Sequence, residues 1–195
     1  RASNTQRPGA AAYRLQSGAY IAAKHYWPAR ALPLIERALA QAGRDHNWDL
    51  ELFCRDGLGA ILKQLGRYPE SVQHIQFGLA LSRKTLNPQA EAVALNNLAV
   101  TEMAMGRFDA AELHLREMEL IDANYPDWPF RAFRMVNQGV LALLQRDYAH
   151  ARTQFVAAFN RCAELELWQL MVFACGGIAM CAVRSEDFQV AADWC

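Results

Sequence analysis

No block of like charge runs through this 195-residue chain: 20 lysines and arginines stand against 20 aspartates and glutamates, for a formal net charge of +0. Direct nucleic-acid contact is therefore not expected, since phosphate binding needs a clustered basic footprint. Five cysteines (Cys54, Cys162, Cys175, Cys181, Cys195) are odd in number and lack CxxC or CxxxC spacing. That excludes a regular disulfide frame and favours a reducing, cytoplasmic setting. Absent too are the phosphate loop G-x-x-x-x-G-K-[ST], the G-x-S-x-G elbow, the H-E-x-x-H zinc helix and the G-x-G-x-x-G fingerprint. No catalytic residue, cofactor or metal is expected, and the chain reads as a non-enzyme. The opening RASNTQRPGAAAYRL lacks the apolar core of a signal peptide. The longest apolar run, Leu167 to Val183, is broken only by Gln169; it is short for a span and holds Gly176-Gly177, so it reads as a buried helix with no membrane role.

What is present is a period. Ala19, Gly59, Ala99, Gly139 and Ala179 fall 40 apart, and Ala31, Ser71, Ala111, Ala151 and Ala191 repeat the step. Pro28, Tyr68, Phe108, Tyr148 and Phe188 form a third column, three residues ahead of the second. A fixed period in the range of about 20–50 residues marks a solenoid. The expected fold is all-α: a right-handed superhelical solenoid of antiparallel helix pairs, one domain over 1–195 with repeats at about 8–46, 47–86, 87–126, 127–166 and 167–195. First helices are predicted over 8–26, 48–65, 88–105, 128–145 and 168–184. Second helices are predicted over 29–43, 69–86, 109–124 and 149–166, with another opening at 189. Asn47, Asn87 and Asp127 are suited to cap the first helices, and the next column is Pro8, Trp48, Pro88, Trp128 and Trp168. Gly66 and Gly106 suit the left-handed residue that ends a helix. The first repeat departs from the pattern: Pro28 replaces the aromatic, Tyr26 offers an alternative frame, and Pro33 threatens a kink. A polar capping unit is missing at the C-terminal end, and the chain reads as a fragment of a longer protein.

Gly59-Tyr68-Ser71, Ala99-Phe108-Ala111 and Gly139-Tyr148-Ala151 resemble the small–aromatic–small skeleton of tetratricopeptide repeats. The 40-residue unit, with Ala94-Leu95-Asn96-Asn97-Leu98-Ala99, resembles the longer variety of kinesin light chains, Leu-Gly-Asn-repeat adaptors and the sensor regions of maltose-regulon-activator-like bacterial regulators. The resemblance implies a module that binds protein or peptide in a concave groove, as the sensor or interaction region of a bacterial multidomain regulator. Its alternatives are a stand-alone adaptor for an extended peptide and a self-association module, and a small-molecule effector is an alternative occupant.

In such repeats the first helices line the groove. Four columns on one stripe then face it: Tyr13/Phe53/Val93/Phe133/Phe173, Ser17/Gly57/Asn97/Asn137/Gly177, Tyr20/Ala60/Val100/Val140/Met180 and Ala23/Lys63/Met103/Leu143/Val183. An amide carries both donor and acceptor and can clamp a peptide backbone. The resemblance carries that role to Asn97 and Asn137 alone; Phe133, Val100, Val140, Lys63 and Arg134 are the other groove candidates, with a solvated or inter-repeat-bonded side chain as the alternative for Arg134. The aromatic column also suits a packed core. His74 and His114, 40 apart, belong to successive repeats and do not suggest a shared metal.

Overall fold

The computed structural model describes residues 27–125 and 128–185, and these form eight α-helices: α1 (Pro28–Arg44), α2 (Trp48–Gln64), α3 (Tyr68–Lys84), α4 (Pro88–Ala104), α5 (Phe108–Asp122), α6 (Phe130–Leu144), α7 (Tyr148–Glu164) and α8 (Trp168–Arg184). The expected helices over 8–26 and from 189 lie outside the described residues, as do Tyr26 and Asp127. Successive helices pair antiparallel within each unit, α1 on α2 and α2 on α3 in the first, α5 on α6, α6 on α7 and α7 on α8 in the second, in an all-α architecture. The chain divides after Asn97, within α4, into two compact units.

Helix starts follow the capping chemistry. Asn47 accepts from Leu50 N at 3.1 Å and Asn87 from Ala90 N at 3.0 Å, satisfying donors that the first turn leaves orphaned. Asp147 does the same for α7, accepting from His150 N at 3.0 Å. Pro28 occupies the first helical position of α1, where its missing N–H is no loss. The helix then continues through Pro33 to Arg44. Pro33 lies so near the start that it removes only the bond to the Ala29 carbonyl, and the array does not break there.

Helix ends share one device. A residue with positive φ recurs every 20 positions: His46 (50°), Gly66 (74°), Leu86 (53°), Gly106 (73°), Arg146 (66°) and Glu166 (54°). Position 126, a proline, lies outside the described residues. Around it α5 ends at Asp122 and α6 starts at Phe130, each two residues inside the 40-residue register. The predicted start at Trp128 is corrected accordingly. Trp128 instead stacks on Tyr125, with ring centroids 4.0 Å apart.

Four of the six positive-φ residues carry a Cβ, which costs about 1–2 kcal/mol in this region. Leu86 is 87% exposed, so its side chain contributes almost no burial. Leu86→Gly is expected to raise stability by about 0.5–1 kcal/mol once glycine's greater unfolded-state freedom is subtracted. Gly66→Ala should lower it by about as much. Urea unfolding midpoints of the two variants check both signs.

Each unit builds its core from the periodic columns. In the first, Ile35 of α1 and Ile75 of α3 are buried, together with Leu50, Cys54, Leu58, Ile61 and Leu62 of α2. A Cβ on Gly59 would collide with Ile75, so the small column is what lets α2 and α3 approach. Ser71 seals the same contact by donating its hydroxyl to the Gly59 carbonyl at 2.7 Å. In the second unit Phe155 of α7 takes the place of Ile75. Its ring lies against Gly139 of α6 and Gly177 of α8, where added Cβ atoms would come within 2.9 and 2.7 Å of it. Gly176 meets nothing within 4 Å, so close packing accounts for only one of the two adjacent glycines, and its partner is the preceding helix rather than the next one.

Candidate functional site

On α2, Asp49, Phe53 and Asp56 recur at spacings of four and three and share one face. That face meets α4 across a cavity of about 350 Å³, floored by Ile75 and Gly78 of α3. Leu52 joins them from α2, and Asn87, Gln89, Ala90, Val93 and Ala94 close the α4 side. Phe53 and Val93, the members of the first predicted groove column among the described residues of the first unit, both line this cavity.

The aromatic column does not form a core. Phe53 is 66%, Phe133 38% and Phe173 59% exposed. The reason is angular: the buried faces of α2, α4 and α8 carry Leu58, Leu98 and Ile178, that of α6 carries Val136, and each holds the small residue that receives a second helix. The aromatic column points elsewhere.

Asn97 is half-buried, and its amide donates across from α4 to the Asp56 Oδ1 on α2. Its column lies deeper than an open groove would place it. In the same column Gly57 lies beneath Ile35, whose Cδ1 would be 3.4 Å from an added Cβ, and Gly177 lies beneath Phe155. Asn137, Val100 and Val140 are likewise half-buried, on α6, α4 and α6 respectively.

Asp56 is the polar residue that the column reading missed. It stands 41 positions before Asn97, one more than the period, so it is not in the asparagine column. The column it does occupy, Gln16/Asp56/Asn96/Val136/Gly176, contains one acidic residue, which was the available signal.

Burial pushes the Asp56 carboxyl up from 3.8 to about 6, against the opposing pull of the Asn97 hydrogen bond and the Lys63 charge. Lys63, two turns farther along α2, has its own pKa lowered by burial, with Asp56 partly restoring it. Because the folded pKa of this carboxyl exceeds the unfolded value, the folded state retains a proton that the unfolded chain has lost between about pH 4 and 6. The Asp56 contribution to stability is therefore largest below pH 4, falls as pH rises through that window, and is flat above it. Lys63 and Asp49 are the other charged groups on that face of α2. Asp56→Asn should gain stability relative to wild type between pH 4 and 7. Parallel urea-midpoint curves across that range would contradict the assignment.

Arg134 is placed differently from a groove residue. Only 4% exposed, it donates from Nε to Asp122 Oδ2 at 2.6 Å and from an Nη nitrogen to Gln138 Oε1 at 2.8 Å. Glu119 lies 3.6 Å from the same guanidinium. The carboxylates it meets are the chain's own, joining α5 to α6.

Cys54, Cys162 and Cys181 are buried free thiols. Burial raises all three pKa values, that of Cys54 to about 11 with help from Glu51. Thiols so protonated are poor nucleophiles and poor metal ligands. No group of three or more His, Cys, Asp or Glu side chains suited to a metal occurs among the described residues. Among these residues no helix is long and apolar enough to cross a membrane, α8 included.

Comparison with known proteins bears on this arrangement. The tetratricopeptide repeat family model matches residues 50–118. No curated protein shows a significant match to the chain. Among solved structures, BtubC (BKLC) from P. vanneervenii is similar at a TM-score of 0.78 and 20% identity, over 98% of this chain and 79% of that one. Two structures of a Podosopora anserina protein, assigned as a kinesin light chain with nearly identical TPR-like repeats, align over 97% of this chain and 93% of theirs. Their TM-scores are 0.73 and 0.72, at 16% and 15% identity. At such identities the likeness is one of fold. The family match itself runs from α2 to α5, residues 50–118.

Proposed function

We propose that this chain is a non-catalytic adaptor whose first helices receive an extended peptide from a partner protein. The observation that carries the reading is the cavity between α2 and α4, which opens on the predicted groove face and is lined by an exposed aromatic, apolar side chains and a few polar groups. That mixture is the usual make-up of a recognition pocket. In the first unit Asn97 and Lys63 extend the proposed contact surface; in the second Val100, Phe133, Asn137 and Val140 form its counterpart. Arg134 contributes by fixing α6 to α5 instead of by contact.

The solved neighbours of kinesin-light-chain type support the adaptor over the sensor region of a bacterial regulator. The regulator reading rests on the 40-residue unit, and would require a phosphate-loop ATPase or a helix-turn-helix segment in the same polypeptide. Buried, unpaired cysteines support a cytoplasmic setting.

Pull-down with Asn137→Ala/Phe53→Ser tests the reading beside Leu120→Ser, a control at an exposed position of the second helix α5. The groove variant should lose partners that the control retains. Identical partner sets would reject groove recognition.

A further inference from the structure

The charged groups that line the first unit's cavity are both acidic. Asp49 and Asp56 face it, and among the described residues no lysine, arginine or histidine does. Asn97 engages one oxygen of Asp56. Lys63 acts on that carboxylate only through its charge, two turns away, and forms no ion pair with it among the described residues. Burial makes the ionised form of Asp56 costly, a cost that an arriving cation would offset. The remaining wall is apolar, with the Phe53 ring open to solvent.

We propose that this cavity is a subsite for a cation on an aliphatic stem, an arginine or lysine side chain of the bound peptide. Asp56 and Asp49 are its carboxylate partners and Phe53 is its stacking face. The assignment rests on the peptide-binding reading above and adds the chemistry of one partner residue. A cation over an aromatic face is attracted by the ring quadrupole. A guanidinium or ammonium paired with a partly desolvated carboxylate makes a charge-assisted hydrogen bond, the stronger kind. The aliphatic stem would lie against Val93, Ala90 and Leu52, as long basic side chains do on apolar surface.

An anion is the competing occupant, because the cavity adjoins the first turns of α2 and α4, and helix N-termini favour negative charge. Two observations weigh against it. The Leu50 and Ala90 N–H groups are already taken by Asn47 and Asn87. Two full carboxylate charges also exceed the roughly half charge of each helix end.

The test is an NMR titration of the 15N-labelled chain with the pentapeptide Ac-Ala-Leu-Arg-Leu-Ala-NH2. The same peptide with lysine, citrulline or glutamate in place of arginine is titrated in parallel. Saturable shifts of the Phe53, Asp56 and Val93 amides are expected with arginine and lysine. Affinity should fall at least about tenfold for citrulline, and by a similar factor for the arginine peptide with Asp56→Asn, as loss of a charge-assisted bond implies. Phe53→Leu, at an exposed position, is a second variant that spares the fold and should also weaken arginine binding.

Equal binding of citrulline and arginine at these amides would overturn the cation subsite and leave peptide recognition standing. So would preference for the glutamate peptide. Failure of all four peptides to move these amides would overturn the subsite. The pull-down above judges the groove separately.

Discussion

Phe155→Ala is expected to destabilise the second unit by about 3–5 kcal/mol, the upper range for a core truncation. Phe155 is 1% exposed and packs with Val136, Ala174 and Ile178. What raises the cost is the nature of the walls. On two sides the ring faces helix backbone at Gly139 and Gly177, which has no side chain able to move into the space vacated. Cavities that cannot collapse are the costly ones. Gly177→Ala should be destabilising from the opposite direction, by about 1–3 kcal/mol, because its Cβ meets three atoms of the ring at 2.7 Å. Combining Gly177→Ala with Phe155→Leu should then cost less than the sum of the two single changes. Urea denaturation of the four proteins in that cycle measures the coupling, and strict additivity would show that ring and glycine do not share one space.

Arg134→Ala should cost about 3–5 kcal/mol, since it strands the Asp122 carboxylate in the interior. Both side chains of the pair are nearly inaccessible, at 5% and 4%. Asp122 also closes α5, so its negative charge sits at the helix end that disfavours it. Its Oδ1 is buried without a hydrogen-bond partner among the described residues. The pair is therefore costly to break and incompletely satisfied while intact. Replacing both residues at once, as Asp122→Leu/Arg134→Met, should be within about 1 kcal/mol of wild type or more stable, as apolar replacement of buried ion pairs commonly is. Thermal unfolding of the single and double variants decides it. A double variant as unstable as Arg134→Ala would mean that the pair contributes beyond mutual neutralisation.

Much of the fold was legible because a repeat is read many times over. Seven of the eight described helices start within a residue of the predicted position, and the second-helix column Ile35, Ile75, Leu115 and Phe155 is buried throughout. The exception, α6, begins two residues later than predicted. The site was harder to read for a different reason. Periodicity identifies residues that occupy equivalent places, whereas a site is made by residues that break equivalence. Asp56 pairs with Asn97 across an offset of 41, so no column held them together. Arg134 looked like a groove cation because its type suggests solvent; its burial depends on Asp122, a residue from another helix that no spacing rule connects to it. The left-handed turns at Leu86, Arg146 and Glu166 were invisible because those residues do not advertise the conformation they adopt.

The contrast between Ile75 on Gly59 and Phe155 between Gly139 and Gly177 has an evolutionary consequence. The helix junctions are nearly interchangeable, but the notches are keyed by size. A repeat carrying phenylalanine can be copied or transplanted only beside neighbours that keep their glycines, and an isoleucine repeat placed in its slot would sit loose. Duplication along such a chain is thus easy to start and selective in where it can settle, so the order of its units is heritable as a set.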